Sequence, residues 1–316
     1  VFTMFDNRFG RQAQYDAVAI VSAGGGASPA IVRVTGRDSG NPAILVTTDY
    51  ILPPDDIILR METTLTNTGD EAVAPMQVGD AIQWGLTTHF APGWDNRGRN
   101  VPGDGHDIGG KTLDVEWVAG DGLGSSYGLV SETGLLELSN GSTWSDANVA
   151  YLSLPANGGA ATYSRIFIVG DGSIASVSDR ALALRATPRG RLAGRVTEAG
   201  TGLPIADATL TITTSQCLGI AGARSHTIAR TAADGTHGAD LPPGAYRVLV
   251  QALGRASAAC ATVAITDGTT TPLDVTLEAP GTLRWSCADP AGTPVPCKVS
   301  LVEPVSGDRI EGPQLG

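Results

Sequence analysis

The sequence predicts an all-β protein in which a large N-terminal β-sandwich is followed by one or two smaller ones. Its 316 residues include 41 glycines and 19 prolines, which break helices and mark turns. Only 17% of the residues are charged, whereas long helices usually carry many Glu and Lys residues on their solvated faces. Alternating apolar runs between closely spaced turn signals complete the pattern that is typical of sandwiches.

The first region, residues 1–186, is expected to form one large sandwich domain. Alternating apolar residues predict its strands, at 17–21, 30–34, 57–66, 112–118, 127–131, 135–138 and 164–169. Gly24, Gly25 and Gly26 lack the lysine and the helix of a phosphate loop, so they predict the tip of a hairpin. The segment Ile174–Leu184 is compatible with a short helix.

Two smaller units are expected to follow. Residues 187–279 contain roughly seven strand signals, which fit one small antiparallel sandwich. The segment that starts at Gly281 matches the one that starts at Gly190, which gives a repeat of about 90 residues. Residues 280–316 are therefore expected to be the start of a second similar sandwich, either truncated or completed by strands of its neighbour.

Three motifs of the second unit occur in a specific order, namely Gly194-Arg195-Val196 with 202–208, then Ala233-Asp234-Gly235, then 241–248. On these residues, the segment of about 188–279 resembles a carboxypeptidase regulatory-like domain, the Ig-like or transthyretin-like sandwich common in secreted bacterial proteins. The resemblance implies a spacer, adhesive or sugar-contacting module without catalytic residues. Asp234-Gly235 is expected to form a tight turn, and Tyr246 to anchor the core while its hydroxyl hydrogen-bonds.

A second resemblance lies in residues 49–56, 59–67 and 79–85. On these residues, the first region resembles the β-sandwich that precedes the catalytic domain of secreted PHP-type (CehA/McbA-like) metallohydrolases. In that family a regulatory-like sandwich can intervene, so the resemblance implies a catalytic domain beyond Gly316. The His-x-His metal motif of the family is missing from this chain. No metal ligand is therefore carried over to any position here.

The charge balance restricts the partners. A net charge of -11 and a pI of about 4.7 repel nucleic acid and disfavour anionic membrane surfaces. No run approaches the roughly 20 apolar residues that a membrane helix needs. An acidic chain suits an extracellular setting, and its loops suit calcium, although no cofactor is required by any motif.

Four cysteines, all in the last third, predict disulfides and hence a secreted or cell-surface protein. The simplest pairing joins Cys217 to Cys260 and Cys287 to Cys297, although three pairings are possible. A metal cluster is the alternative, but no CxxC spacing and no adjacent histidine favours it.

The longest polar loop of the sequence holds the candidate ligand-binding residues. A metal or sugar pocket would use His89, Trp94, Asp95, His106 and Asp107, because binding commonly lies on long loops of a rigid sandwich. The alternative is an ordinary surface loop, since turn chemistry alone accounts for these residues. Neither a nucleophile elbow nor a local catalytic triad is visible in the sequence.

Other aromatic and acidic residues have two interpretations each. Trp84 and Trp117 are expected in the core, whereas Trp94 is the best candidate for an exposed ring that stacks on sugars. The Asp-Gly pairs at 104–105, 121–122 and 171–172 suit calcium or simple turns, and none matches an EF-hand loop.

These observations favour a non-catalytic, secreted accessory or structural assembly that binds a glycan or a protein. One alternative is the non-catalytic N-terminal portion of a metal-dependent hydrolase. Another is a self-associating surface or fibre subunit, because sheet edges can pair with one another.

Overall fold

A computed structural model of the chain describes residues 2–4, 13–83, 89–92, 113–121, 124–140, 144–214, 225–281 and 284–297. The described part of the first region holds these strands: β1 (Phe2–Met4), β2 (Ala13–Gly25), β3 (Ser28–Asp38), β4 (Ile44–Leu52), β5 (Ile58–Asn67), β6 (Val73–Gln83), β7 (His89–Phe90), β8 (Leu113–Val115), β9 (Trp117–Asp121), β10 (Ser126–Ser131), β11 (Leu136–Asn140), β12 (Trp144–Leu154) and β13 (Gly159–Gly170).

These strands form a two-layer antiparallel sandwich. The smaller sheet has the order β1-β6-β12-β11-β8, and the larger one has the order β2-β3-β4-β5-β13-β10-β9-β7. The hairpin expected at the glycine run joins β2 to β3, where Gly24, Gly25 and Gly26 all have positive φ. The all-β prediction is therefore confirmed.

Alternation along the strands of the larger sheet divides its side chains between two faces. Met61, Leu65 and Leu129 point between the two sheets, where they pack in clusters with residues of the smaller sheet such as Val78 and Leu138. This interior is one core of the protein, since all five side chains are buried.

A buried ion pair crosses that interior from sheet to sheet. Arg165 of β13 donates from Nε to Asp80 Oδ2 at 2.6 Å and from Nη2 to Asp80 Oδ1 at 3.0 Å, and both side chains are fully buried. Arg165 Nη1 also donates to Thr63 Oγ1 at 2.6 Å, and its guanidinium lies 4.9 Å from the centre of the Tyr163 ring. The sequence contained no signal for this pair.

A single helix of the described residues, α1 (Ile174–Leu184), covers the other face of the larger sheet and has the bounds that the sequence suggested. The Ser173 side chain accepts from the Ser176 backbone N–H, which is a standard N-cap. Ile174, Val177 and Ala181 pack with Trp117 and other residues of the outer sheet face. Trp117 is 2% exposed, so its predicted core position is confirmed.

The second region forms two four-stranded sheets. Its described strands are β14 (Gly190–Glu198), β15 (Thr209–Thr213), β16 (Ser225–Arg230), β17 (Thr236–Leu241), β18 (Gly244–Gln251), β19 (Ala261–Ile265), β20 (Thr270–Pro272) and β21 (Val275–Leu277). Strands β16-β15-β18-β19 make one sheet, and β14 pairs with β17, β20 and β21 in the other.

The expectation of a purely antiparallel small sandwich is wrong at one place. Strand β14 pairs in parallel with both β20 and β21. After β19 the chain crosses to the opposite sheet and runs beside β14 in the same direction. Residue alternation has the same period in parallel and antiparallel strands, so the sequence pattern could not distinguish them.

The third unit contributes little regular structure in its described residues, 284–297. They contain one isolated bridge, between Ala288 and Pro294, and a turn at Asp289, whose carboxylate accepts from the N–H groups of Ala291 and Thr293. Trp285 is 63% exposed. A second similar sandwich starting at residue 280 stays a prediction.

No helix in the described portion of the chain is long and apolar enough to cross a membrane.

Candidate functional site

The polar loop predicted to bind a ligand falls almost entirely outside the described residues. Trp94, Asp95, His106 and Asp107 lie outside them, as does the side chain of His89, whose backbone pairs with Gly120 at the end of the larger sheet. The pocket built from these five residues stays a prediction.

The calcium candidates divide in the same way. The pair at 104–105 and Gly122 lie outside the described residues. At Asp171-Gly172, the Asp171 carboxylate accepts from Ser173 N at 3.0 Å and from Ser173 Oγ at 2.8 Å, and Gly172 has φ of 100°. Although burial raises the pKa of Asp171, these hydrogen bonds lower it below its usual value. This Asp-Gly pair makes the turn that begins α1.

Histidines inside the small sandwich are structural. His226 meets the Tyr246 ring edge-on, with 5.5 Å between ring centres, and burial lowers its pKa to about 4. His237 Nε2 lies 2.9 Å from Leu273 O, and burial lowers its pKa as well. Across the described ranges, no group of three or more His, Cys, Asp or Glu side chains could hold a metal ion.

The junction between the two sandwiches combines shared apolar packing with a cluster of polar side chains. Helix α1, which covers the large sandwich, also contacts β16 and β17 of the small one. Ala175 belongs to the core cluster of the small sandwich, while Ile228 of β16 packs against the cluster that contains Ile174 and Val177. The helix is therefore shared by two hydrophobic cores.

Polar contacts hold both sides of this helix. Toward the small sandwich, Ser178 Oγ lies 2.8 Å from Thr227 Oγ1 in a buried hydrogen bond, and Asp179 Oδ1 accepts from the Asp240 backbone N–H at 2.8 Å. Toward the large sandwich, Arg180 forms an ion pair with Asp56. Side chains of this short helix thus contact three different partners, namely Thr227, Asp240 and Asp56.

Charges are concentrated where α1 meets β14 and β17. Arg191 Nη1 lies 2.8 Å from Asp240 Oδ1 and 3.4 Å from Asp179 Oδ2, while Arg189 Nε lies 3.2 Å from Asp240 Oδ2. The pKa of Asp179 is raised to about 7, mainly by burial. The hydrogen bond from the Asp240 N–H and the attraction of Arg191 lower this pKa, whereas the Asp240 carboxylate raises it. Asp179 is consequently poised to titrate near neutral pH.

A cleft of about 680 Å³ opens beside these charges. Its walls are the connection from α1 to β14 and the turn before β20, with Arg189, Arg191, Asp240 and Asp267 supplying the charged groups. Asp267 Oδ1 accepts from the Arg189 backbone N–H at 2.8 Å, so this wall is itself fixed by a hydrogen bond.

Sequence reasoning missed the junction. Asp179 and Asp240 are 61 residues apart, and neither belongs to a recognisable motif. The one available signal was the pair of polar residues, Ser178 and Asp179, inside a helix that is otherwise apolar on that side. Such a pair in isolation is equally typical of a solvated helix face.

The disulfide expectations have different outcomes. Cys287 and Cys297 form a disulfide, as predicted. Cys260 is also disulfide-bonded, but its predicted partner, Cys217, lies outside the described residues. The described cysteines include no free thiol.

Comparison with known protein families identifies the second region. Residues 191–278 match the family described as carboxypeptidase regulatory-like domain. This segment is a carboxypeptidase regulatory-like domain. Its predicted anchors are as expected: Tyr246 is 5% exposed, and its hydroxyl donates to Pro242 O at 2.9 Å. At the predicted tight turn, Gly235 has φ of 79° and donates to Ala232 O at 2.9 Å.

Solved structures resemble the chain only distantly. A GH36 α-galactosidase, AgaB from Geobacillus stearothermophilus, is 9% identical, with a TM-score of 0.40 over 56% of this chain and 31% of its own. An α-galactosidase from Lactobacillus brevis is 10% identical, with a TM-score of 0.36 over 61% of this chain and 33% of its own. The chain thus spans about a third of the length of these enzymes. The search of curated proteins finds no match.

Proposed function

We propose that the chain is a non-catalytic accessory assembly of a secreted protein, in which α1 holds the regulatory-like domain in a fixed orientation on the large sandwich. The observation that carries this proposal is the participation of α1 in the cores of both sandwiches. A flexibly tethered module would instead be joined by a polar linker with few packed side chains.

The short connection between the sandwiches supports a fixed orientation. Only five residues, 185–189, separate the end of α1 from the start of β14. Within them, Arg185 Nη1 donates to Gly134 O at 2.8 Å and Arg189 pairs with Asp240, so both ends of the connection are anchored. Such an arrangement suits a spacer that holds one module in a fixed position relative to the next.

An extracellular setting is supported by the disulfides. The Cys287–Cys297 bond and the disulfide-bonded Cys260 would be reduced in most cytosolic environments. Together with the acidic charge, this favours secretion or display at a cell surface.

Calorimetric unfolding tests the fixed orientation. The wild-type chain should unfold with strongly coupled transitions of its two sandwiches, because α1 cannot leave one core without disturbing the other. Asp179→Ala, which removes the acceptor for the Asp240 N–H, should separate the transition of the regulatory-like domain from that of the large sandwich. Asp70→Ala, at an exposed turn of the large sandwich, is the matched control. Two independent wild-type transitions, unaffected by Asp179→Ala, would contradict the proposal.

The accessory role itself is tested with the purified chain. We expect no turnover of chromogenic glycosides, esters or peptides, and we expect retention on a glycan array or by a protein partner. Trp94→Ala should weaken glycan retention about tenfold if its ring stacks on the sugar. Turnover that copurifies with the chain would overturn the non-catalytic assignment.

A further inference from the structure

The outermost strand of the larger sheet, β2, has an unusual edge. In the described part of the chain it pairs with β3 on one side and with nothing on the other. Within the described residues, the other edge strands of the large sandwich, β1, β7 and β8, are two or three residues long. Strand β2 has 13 residues, so it presents a long row of N–H and C=O groups that no other described strand pairs with.

The residue content of β2 gives this edge little protection. Soluble sandwiches usually guard such strands with lysines, prolines or inward-pointing charges. Asp16 is the single charged residue of β2, and the strand contains no proline. At its centre, Val18 is 71% exposed and Ile20 is 75% exposed.

The exposed side chains lie on the inner face of the sheet, beyond the reach of the smaller sheet. Register places Val18 beside Val34 and Thr48, and Ile20 beside Val32 and Tyr50. Along β4 this face changes from fully buried at Ile44 to 50% exposed at Leu52. The first hairpin thus extends an apolar surface outside the sandwich.

From this edge we infer that β2 pairs antiparallel with β2 of a second copy of the chain, about a two-fold axis through Ala19. A two-fold axis perpendicular to the sheet requires residues on the same face to oppose each other. Centred on Ala19, Val18 opposes Ile20 of the other copy. Apolar groups therefore meet apolar groups, and the regular run from Ala17 to Ile20 contains no charged residue. Centred on Val18 instead, Ile20 would fall opposite Asp16, which lies in the bulge between Tyr15 and Ala17.

Two irregularities limit the extent of this interface. The β2–β3 register shifts between Tyr15 and Ala17 and again between Ile20 and Ser22. Bulges twist an edge and interrupt pairing, so the regular run is confined to residues 17–20. A short strand pairing buries little area, and we expect a weak dimer that dissociates at roughly micromolar to 100 µM concentrations. This inference is independent of the proposed accessory role.

Sedimentation equilibrium over a concentration series tests the association. The wild-type chain should show monomer–dimer exchange, and Ile20→Lys should weaken dimerisation at least about tenfold, because a charge on this face opposes an apolar partner. Leu203→Lys is the matched control, since Leu203 is 62% exposed but lies in the regulatory-like domain. A wild-type monomer throughout the series would overturn the inference, as would dimerisation that survives Ile20→Lys unchanged.

Cysteine crosslinking tests the register. Ala19→Cys places two thiols at the axis, where opposed Cα atoms lie about 4.5–5.5 Å apart, within disulfide range. Ala23→Cys places them about 26 Å apart, eight residues of strand rise. We expect oxidation to crosslink the first variant and leave the second monomeric on non-reducing gels. Equal crosslinking of both would refute the two-fold axis at Ala19.

Discussion

At the residue scale, the ionisation of Asp179 makes the stability of the junction depend on pH. Its folded-state pKa of about 7 exceeds the value near 3.9 of an unfolded aspartate. The folded state therefore binds more protons between these values, and stability present below pH 4 is lost as the pH rises through 7. We expect thermal stability to fall from pH 5 to pH 8. Asp179→Asn, which keeps an acceptor oxygen for the Asp240 N–H, should flatten this dependence; an unchanged profile in that variant would assign the titration to another group.

The Arg165–Asp80 pair gives a second prediction at this scale. Removing one partner leaves a charge buried without its counterion, so Asp80→Ala should destabilise the protein by about 3–5 kcal/mol in denaturant unfolding. Replacing both residues, as in Asp80→Leu with Arg165→Met, should restore much of that loss because no lone charge remains. A double variant as unstable as Asp80→Ala would mean that the pair itself stabilises the sandwich.

At the element scale, the close approach of β14 to the returning chain depends on Gly194. A Cβ atom placed there would lie 2.0 Å from Leu273 O. Gly194→Ala should therefore force the strands apart and cost roughly 1–3 kcal/mol of unfolding free energy. Gly281→Ala is the matched control, because a Cβ there meets nothing within 4 Å. Equal stability of the two variants would show that β20 and β21 can shift without penalty.

The elements also show which predictions local sequence can support. Helix α1 has the bounds expected from its pattern, and the hairpin at Gly24–Gly26 follows from glycine chemistry. By contrast, the parallel pairing of β14 was missed, since strand direction is set by the path of the chain between sheets. Local residue patterns contain no information about that path.

At the scale of the whole molecule, the Cys287–Cys297 disulfide lies apart from both cores. Residues 284–297 are mostly exposed and contain no strand, and the bond closes a loop of sequence separation 10. We expect the double variant Cys287→Ser with Cys297→Ser to leave the unfolding transitions of both sandwiches within about 1 °C of wild type. A larger shift, measured by calorimetry, would show that this segment supports one of the cores.

The sequence alone determined the all-β class, the regulatory-like domain with its Tyr246 anchor and Asp234-Gly235 turn, and the Cys287–Cys297 bond. Each of these depends on local chemistry: turn residues, alternation, or two cysteines close together in the chain. Only the tertiary structure decided that Arg165 meets Asp80, that α1 joins two cores, and that β2 is an edge strand among the described residues. Those features bring together residues that are distant in sequence. The type of a side chain does not predict which residues will be its neighbours in the folded protein.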